Sequence, residues 1–199
     1  MVLTDKYNFS FTGSGLRLNE FEKVIRHYEF KDELDVVNDL GGGKSSTGYR
    51  ILSDLKKRVE LLSTHERSLF LNTNLQTKRH IAFLSLCRAY SFIREFVIEV
   101  VRDKYLVFDY ELREGEFLTF YRRKNEEHTE MDSLTDVTQY KMKQITFKLL
   151  EQAGIIDHVK TKIIQPQLLD DNLVKVVTEK DKEWLKVFLL SDLDIQKIN

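Results

Sequence analysis

Between Lys44 and Arg58 five bases, Lys44, Arg50, Lys56, Lys57 and Arg58, stand against one acid, Asp54, a local charge of +4. Cations at this density neutralise phosphates, and a chain with almost no net charge can still hold a polyanion through one such face. Wound on a helix at about 100° per residue, Gly48, Ile51, Leu52, Leu55, Val59 and Leu62 fall inward. Ser46, Thr47, Arg50, Ser53, Asp54 and Lys57 fall outward, with Lys56 and Arg58 at the margins. Small hydroxyls and cations on one helix face suit a nucleic-acid groove. Arg50, Ser46, Thr47 and Lys57 are therefore predicted at the groove, and Lys44 and Lys56 on phosphates. Glu20 to Asp39 is opposite in sign, with seven acids against three bases, a charge of −4. A solvated helix paired with that acidic neighbour explains the pattern without a ligand.

Lys141, Lys148, Lys160 and Lys162 form a second, weaker candidate footprint for DNA. The first two lie on the polar stripe of a predicted helix with Gln144. The last two lie near the tip of a predicted hairpin, where they are expected to project into solvent.

Other chemistry finds little support. Gly41-Gly42-Gly43-Lys44-Ser45 has Asn38 where a phosphate-binding loop needs its first glycine, and a helical pattern precedes it where a strand is required. His27, His65, His80, His128 and His158 never pair at a metal-ligand spacing, so no metal site is predicted. His80 reads as a helix-surface residue, and His128 as part of the solvated run with Glu126 and Glu127. Cys87, the one cysteine, sits in an apolar stretch and reads as a core thiol. No nucleophile pattern appears, so neither an enzyme nor a cofactor is expected.

The elements that would carry these residues are mostly helices. Leu18 to Phe30 spaces Phe21, Val24, Ile25 and Tyr28 for one face. Lys31 to Leu40 is a shorter candidate, stopped by the three glycines. Ser45 or Ser46 is expected to cap the basic helix, giving two short helices and a third, a helix-turn-helix pattern. Thr64 to Leu71 follows. Leu75 to Tyr90 and Phe92 to Tyr105 are apolar on more than one side and should form the central spine. Glu111 to His128, and Asp132 or Ser133 to Ala153, complete the long helices. Gly154 then ends the helix, and Ile155–Ile156 and Ile163–Ile164 are predicted to pair as a hairpin, the order of a winged helix. Leu168 to Val177 and Lys182 to Leu190 are short terminal helices.

The fold class expected is mainly α: an N-terminal helix-turn-helix-like unit over residues 1–73 and a C-terminal domain over 74–199. The latter holds a central apolar helical core and a winged-helix-like hairpin near 155–165. The 199 residues are 42% hydrophobic and 32% charged, with one Pro and eight Gly. That composition favours a packed helical protein over a disordered chain or a turn-rich β-sandwich. No apolar run approaches the roughly 20 residues of a membrane span, so a cytoplasmic protein with no membrane partner is expected.

Several stretches, in order, resemble the BrxA family of BREX bacteriophage-defence systems. They are Tyr7 to Leu16 (YNFSFTGSGL), Lys44 to Arg50 (KSSTGYR), Ile81 to Tyr90 (IAFLSLCRAY), Val101 to Tyr110 (VRDKYLVFDY), Leu149 to Gly154 (LLEQAG) and Ile164 to Gln167 (IQPQ). The resemblance implies an all-helical, non-enzymatic, cytoplasmic protein that binds double-stranded DNA through Lys44 to Lys57. It also implies other BREX proteins as partners, and a likeness to the NusB-type antitermination fold keeps RNA as an alternative. A protein–protein scaffold using the acidic helices and the Phe-rich middle is the rival from a different class.

Overall fold

The computed structural model describes residues 6–198; the first five residues of the expected N-terminal unit, and Asn199, lie outside them. The helices run α1 (Leu18–Phe30), α2 (Ser45–Glu60), α3 (Thr64–Leu71), α4 (Leu75–Ala89), α5 (Ser91–Phe96), α6 (Asp103–Leu106), α7 (Glu114–Glu127), α8 (Asp136–Ala153), α9 (Asp171–Thr178) and α10 (Asp192–Lys197). Local chemistry marks their ends. Ser63 and Glu66 form a reciprocal capping box at α3, and Asn74 caps α4. Thr135, rather than Asp132 or Ser133, accepts from the Thr138 amide to start α8. Gly154 closes α8 at φ +77°, where a Cβ would be strained.

Helix α4 is buried on nearly all sides from His80 to Cys87 and is the spine expected from its apolar pattern. Burial drives the Cys87 thiol pKa up, leaving an inert core group. The chain breaks at Tyr90, in extended geometry, and re-enters helix at α5. A π-helical turn, Val97–Arg102, joins α5 to α6 without a loop. Phe92 and Phe96 then meet α7 edge-on: Phe92 lies 5.2 Å from Phe120, and Phe96 5.5 Å from Phe117. Aromatic pairs of this kind add about 0.5–1.5 kcal/mol each beyond their burial. Core residues from Tyr7 to Ile195 form one cluster, so residues on both sides of position 73 share it.

Four expectations need correction. The helix expected over Lys31–Leu40 is one π-helical turn, Val36–Leu40, whose first amides bond the Asp35 carboxylate. It packs so tightly on α2 that a Cβ at Gly48 would stand 2.2 Å from the Val36 carbonyl oxygen.

The isoleucine pairs do meet antiparallel, but at one bridge, Ile156 to Ile164, and no strand forms among the described residues. The Asp157 carboxylate takes the Ile163 and His158 amides, and Ile163 bridges Glu111 instead of extending a hairpin.

His80 is 1% exposed rather than on the surface, because the 3₁₀ segment Lys182–Phe188 covers α4 and brings Phe188 to 5.3 Å from its ring. Burial pulls its pKa down, against a Gln167 hydrogen bond.

His128 is buried too, stacked 3.8 Å from Tyr7, whose hydroxyl donates to Glu95 and whose amide donates to Glu130. The N-terminal segment folds back over the end of α7, which no local pattern announces.

Candidate nucleic-acid interface

The basic helix is α2, and Lys44 is its N-cap, with no side chain on the first amides. Its exposed residues are Ser45, Ser46, Tyr49, Arg50, Ser53, Lys56 and Glu60, while Thr47, Asp54 and Lys57 are half-buried. The solvent face is thus turned from the expected one by roughly a quarter of a helical turn. Arg58, expected beside the outer face, is fully buried. Its guanidinium donates to the Gly15 and Ala82 carbonyls at 2.8 and 3.1 Å and to the Ser85 hydroxyl at 3.2 Å. It also lies 4.8 Å from the Phe21 ring centre. The buried cation ties α2 to the N-terminal segment and to α4.

Asp54 explains how that burial is tolerated. Its carboxylate lies 3.6 Å from Arg58, accepts from the Ser14 hydroxyl at 2.8 Å and accepts from the Tyr90 hydroxyl. Burial, and then the negative charge of Asp54, push the Tyr90 pKa up, so the phenol remains a donor. The acid on the basic face is therefore an internal anchor.

Above this anchor lies a cleft of about 740 Å³. Arg50 and Lys57 of α2 and Lys141 of α8 line it, with hydroxyls from Ser10, Thr12, Ser14 and Ser53. Arg50 donates to the Gly13 carbonyl at 2.8 Å, and Lys57 to the Ala89 carbonyl at 3.1 Å with its ammonium 4.9 Å from the Tyr90 ring centre. Each bond uses one donor of a group that has several, so both cations are held in place with donors to spare. The structure joins one member of the weaker predicted footprint, Lys141, to two of the stronger one.

The other predicted residues separate. Lys44, Ser46, Thr47 and Lys56 stay on α2 outside the cleft lining. Lys148 and Lys162 line a second cleft, of about 630 Å³, with Lys143, Glu114 and Tyr140. Lys162 has φ +54° and turns its ammonium back to 3.8 Å from Glu114 and 5.4 Å from the Phe147 ring centre, contrary to the expected projection into solvent. Of Lys160 and Lys162, Lys160 is the one exposed at the tip. Sequence reasoning missed Ser10, Thr12 and Ser14. The alternation of Phe9 and Phe11 with Ser10 and Thr12 is the signal that could have found them. It also missed exposed Tyr49.

The BrxA family model matches residues 5–181. The chain belongs to the BrxA family. The BREX protein BrxA of Bacillus cereus (strain H3081.97) is 22% identical over 183 residues, covering 88% of this chain and 92% of that protein. The crystal structure of an uncharacterized protein from Magnetospirillum magneticum superposes with a TM-score of 0.78 at 15% identity, over 92% of this chain and 98% of the other. That likeness shows a common fold. Among the described residues no helix is long and apolar enough to cross a membrane.

Proposed function

We propose that this BrxA family member is a non-enzymatic, cytoplasmic component of a BREX defence system that binds double-stranded DNA mainly through its phosphates. The observation that carries the reading is the meeting of Arg50, Lys57 and Lys141, from two distant parts of the chain, around one hydroxyl-lined cleft. Phosphate oxygens accept from guanidinium and ammonium donors alike, and both kinds line the same space.

In this reading α1, the Val36–Leu40 turn and α2 act as a helix-turn-helix-like unit within residues 1–73. Exposed Ser46, Arg50 and Lys56 track the duplex beside the cleft. The bridged segment near 155–165 is a reduced wing, with exposed Lys160 at its tip. Sequence preference is weak, because the proposed contacts are mainly to phosphates, which carry no sequence information directly.

Fluorescence anisotropy with a labelled duplex tests this directly. With about four to six phosphates neutralised, the log–log slope of affinity against salt is expected at roughly −4 to −5. A hairpin RNA of equal length is expected to bind more weakly. No duplex binding even at low salt would remove the reading, and preference for the hairpin would move it to structured RNA.

A further inference from the structure

We propose that the exposed patch of Val107, Phe108 and Tyr110 docks a partner protein that presents an apolar side chain flanked by lysines or arginines. Helix α6 ends in a closed two-bond cap: the Asp109 amide donates to the Lys104 carbonyl at 3.0 Å and the Phe108 amide to the Tyr105 carbonyl at 3.1 Å. The residue at the left-handed position of such a cap is ordinarily glycine. Here it is Phe108, at φ +63°. A bulky side chain in this region is strained, and burial is what would normally compensate. Phe108 is 79% exposed and Val107 is 72% exposed, so folding returns almost nothing for either.

The aromatic part of the patch is already built. The Phe108 and Tyr110 rings lie 6.5 Å apart, and Tyr110 lies 5.6 Å from Tyr105. Ile163 bridges Glu111, next to Tyr110. The Ile164 amide donates to the Tyr110 carbonyl at 2.8 Å and the Leu112 amide to the Lys162 carbonyl at 3.0 Å, fixing both segments. A preformed surface loses little freedom on binding.

The rim decides the class of partner. Asp103, Asp109 and Glu111 are exposed around the apolar residues. Lys104 pairs with Asp109 and Glu116 at 2.5 Å each and Arg113 with Glu111 at 3.0 Å, so with Asp103 four acids stand against two cations and the rim keeps a net negative charge. Such a rim repels a phosphate backbone or an anionic bilayer and attracts a basic protein segment. Val107, Phe108 and Tyr110 are not among the DNA-contacting residues proposed above, and the patch rests on that proposal only for the choice of probe.

The test uses the full chain against each purified protein encoded with it in its BREX system, one at a time, by biolayer interferometry. Phe108→Gly and Val107→Lys are compared with the parent, with duplex binding and Tm measured on the same samples. One protein is expected to bind, with affinity falling as salt rises and at least tenfold in each variant, while duplex binding stays within about twofold. Phe108→Gly should leave Tm unchanged or raise it by roughly 2 °C, since glycine relieves the left-handed strain. The proposal is overturned if no protein binds or if binding survives both variants. A lower Tm for Phe108→Gly overturns it by giving the ring a folding role. A homodimer that Phe108→Gly dissolves would show that the patch covers a second copy instead. Loss of duplex binding in the parent would sink the DNA reading and leave this one standing.

Discussion

Asp54 and Arg58 lie one helical turn apart on α2, carboxylate to guanidinium at 3.6 Å, and divide the helix between cleft and core. Arg58 is wholly enclosed, while Asp54 reaches up to hold Tyr90 and Ser14 at the cleft floor. A basic helix therefore spends one of its cations on folding, and the carboxylate beside that cation shapes the surface used for binding.

Arg58→Ala leaves Asp54 without its cation and removes the donor that the Gly15 and Ala82 carbonyls share. Removing one partner of a buried pair costs about 3–5 kcal/mol. Urea unfolding should show a loss in that range, whereas Arg50→Ala, exposed and holding only Gly13, should cost under about 1 kcal/mol. Equal losses would mean that the two arginines share a role.

Arg50 and Lys141 approach the same cleft from different helices. If they hold one phosphate, their effects on duplex affinity are non-additive, with a coupling of about 0.5–3 kcal/mol in a double-mutant cycle. Each single alanine variant should also make the salt slope shallower by about one. Strict additivity with an unchanged slope would place them outside the contact.

Gly48→Ala tests the fit of α2 against the Val36–Leu40 turn. The added methyl would meet a backbone oxygen, which cannot rotate away. Overpacking of this kind typically costs about 1–3 kcal/mol. A thermal melt showing no loss would mean that the turn moves freely, contrary to the packed geometry.

Lys160 and Lys162, two residues apart, should behave differently. Lys160→Glu should weaken duplex binding most at low salt and leave Tm unchanged. Lys162→Glu sets a second carboxylate against Glu114 and removes the cation over Phe147, so it should lower Tm. Identical behaviour of the two variants in both assays would contradict the observed geometry.

Burial opposes ionisation of Asp157, but hydrogen bonds from the Ile163 amide, the Thr161 hydroxyl and the His158 amide hold its carboxyl below the usual range. A depressed folded pKa means that the stabilisation is present above the ordinary aspartate value and is lost as pH falls through the folded one. In an NMR titration the Ile163 amide should shift with a midpoint below the ordinary aspartate value. A midpoint at or above the ordinary value would show that the carboxylate is not holding the tip.

Helix positions follow from side-chain periodicity and from end chemistry, both local in the chain. Leu18–Phe30 and Thr64–Leu71 were therefore readable, as were the all-round apolar α4 and the stop at Gly154. So were the basic character of α2 and the family likeness, because they depend on residue types in order. What packs over a helix is set by segments far away in sequence. The 3₁₀ segment Lys182–Phe188 buried His80, the fold-back of Tyr7 buried His128, and contacts with Gly15, Ala82 and Ser85 drew Arg58 inside. The same distant packing turned the exposed face of α2, folded Lys162 onto Glu114 and set Lys141 opposite Arg50. A charge count sees every cation as equal. Only tertiary structure separates those consumed by carbonyls and carboxylates from those left facing solvent, because the desolvation and hydrogen bonding that decide between them come from neighbours distant in sequence, as with Arg58 and the Gly15 carbonyl, 43 residues apart.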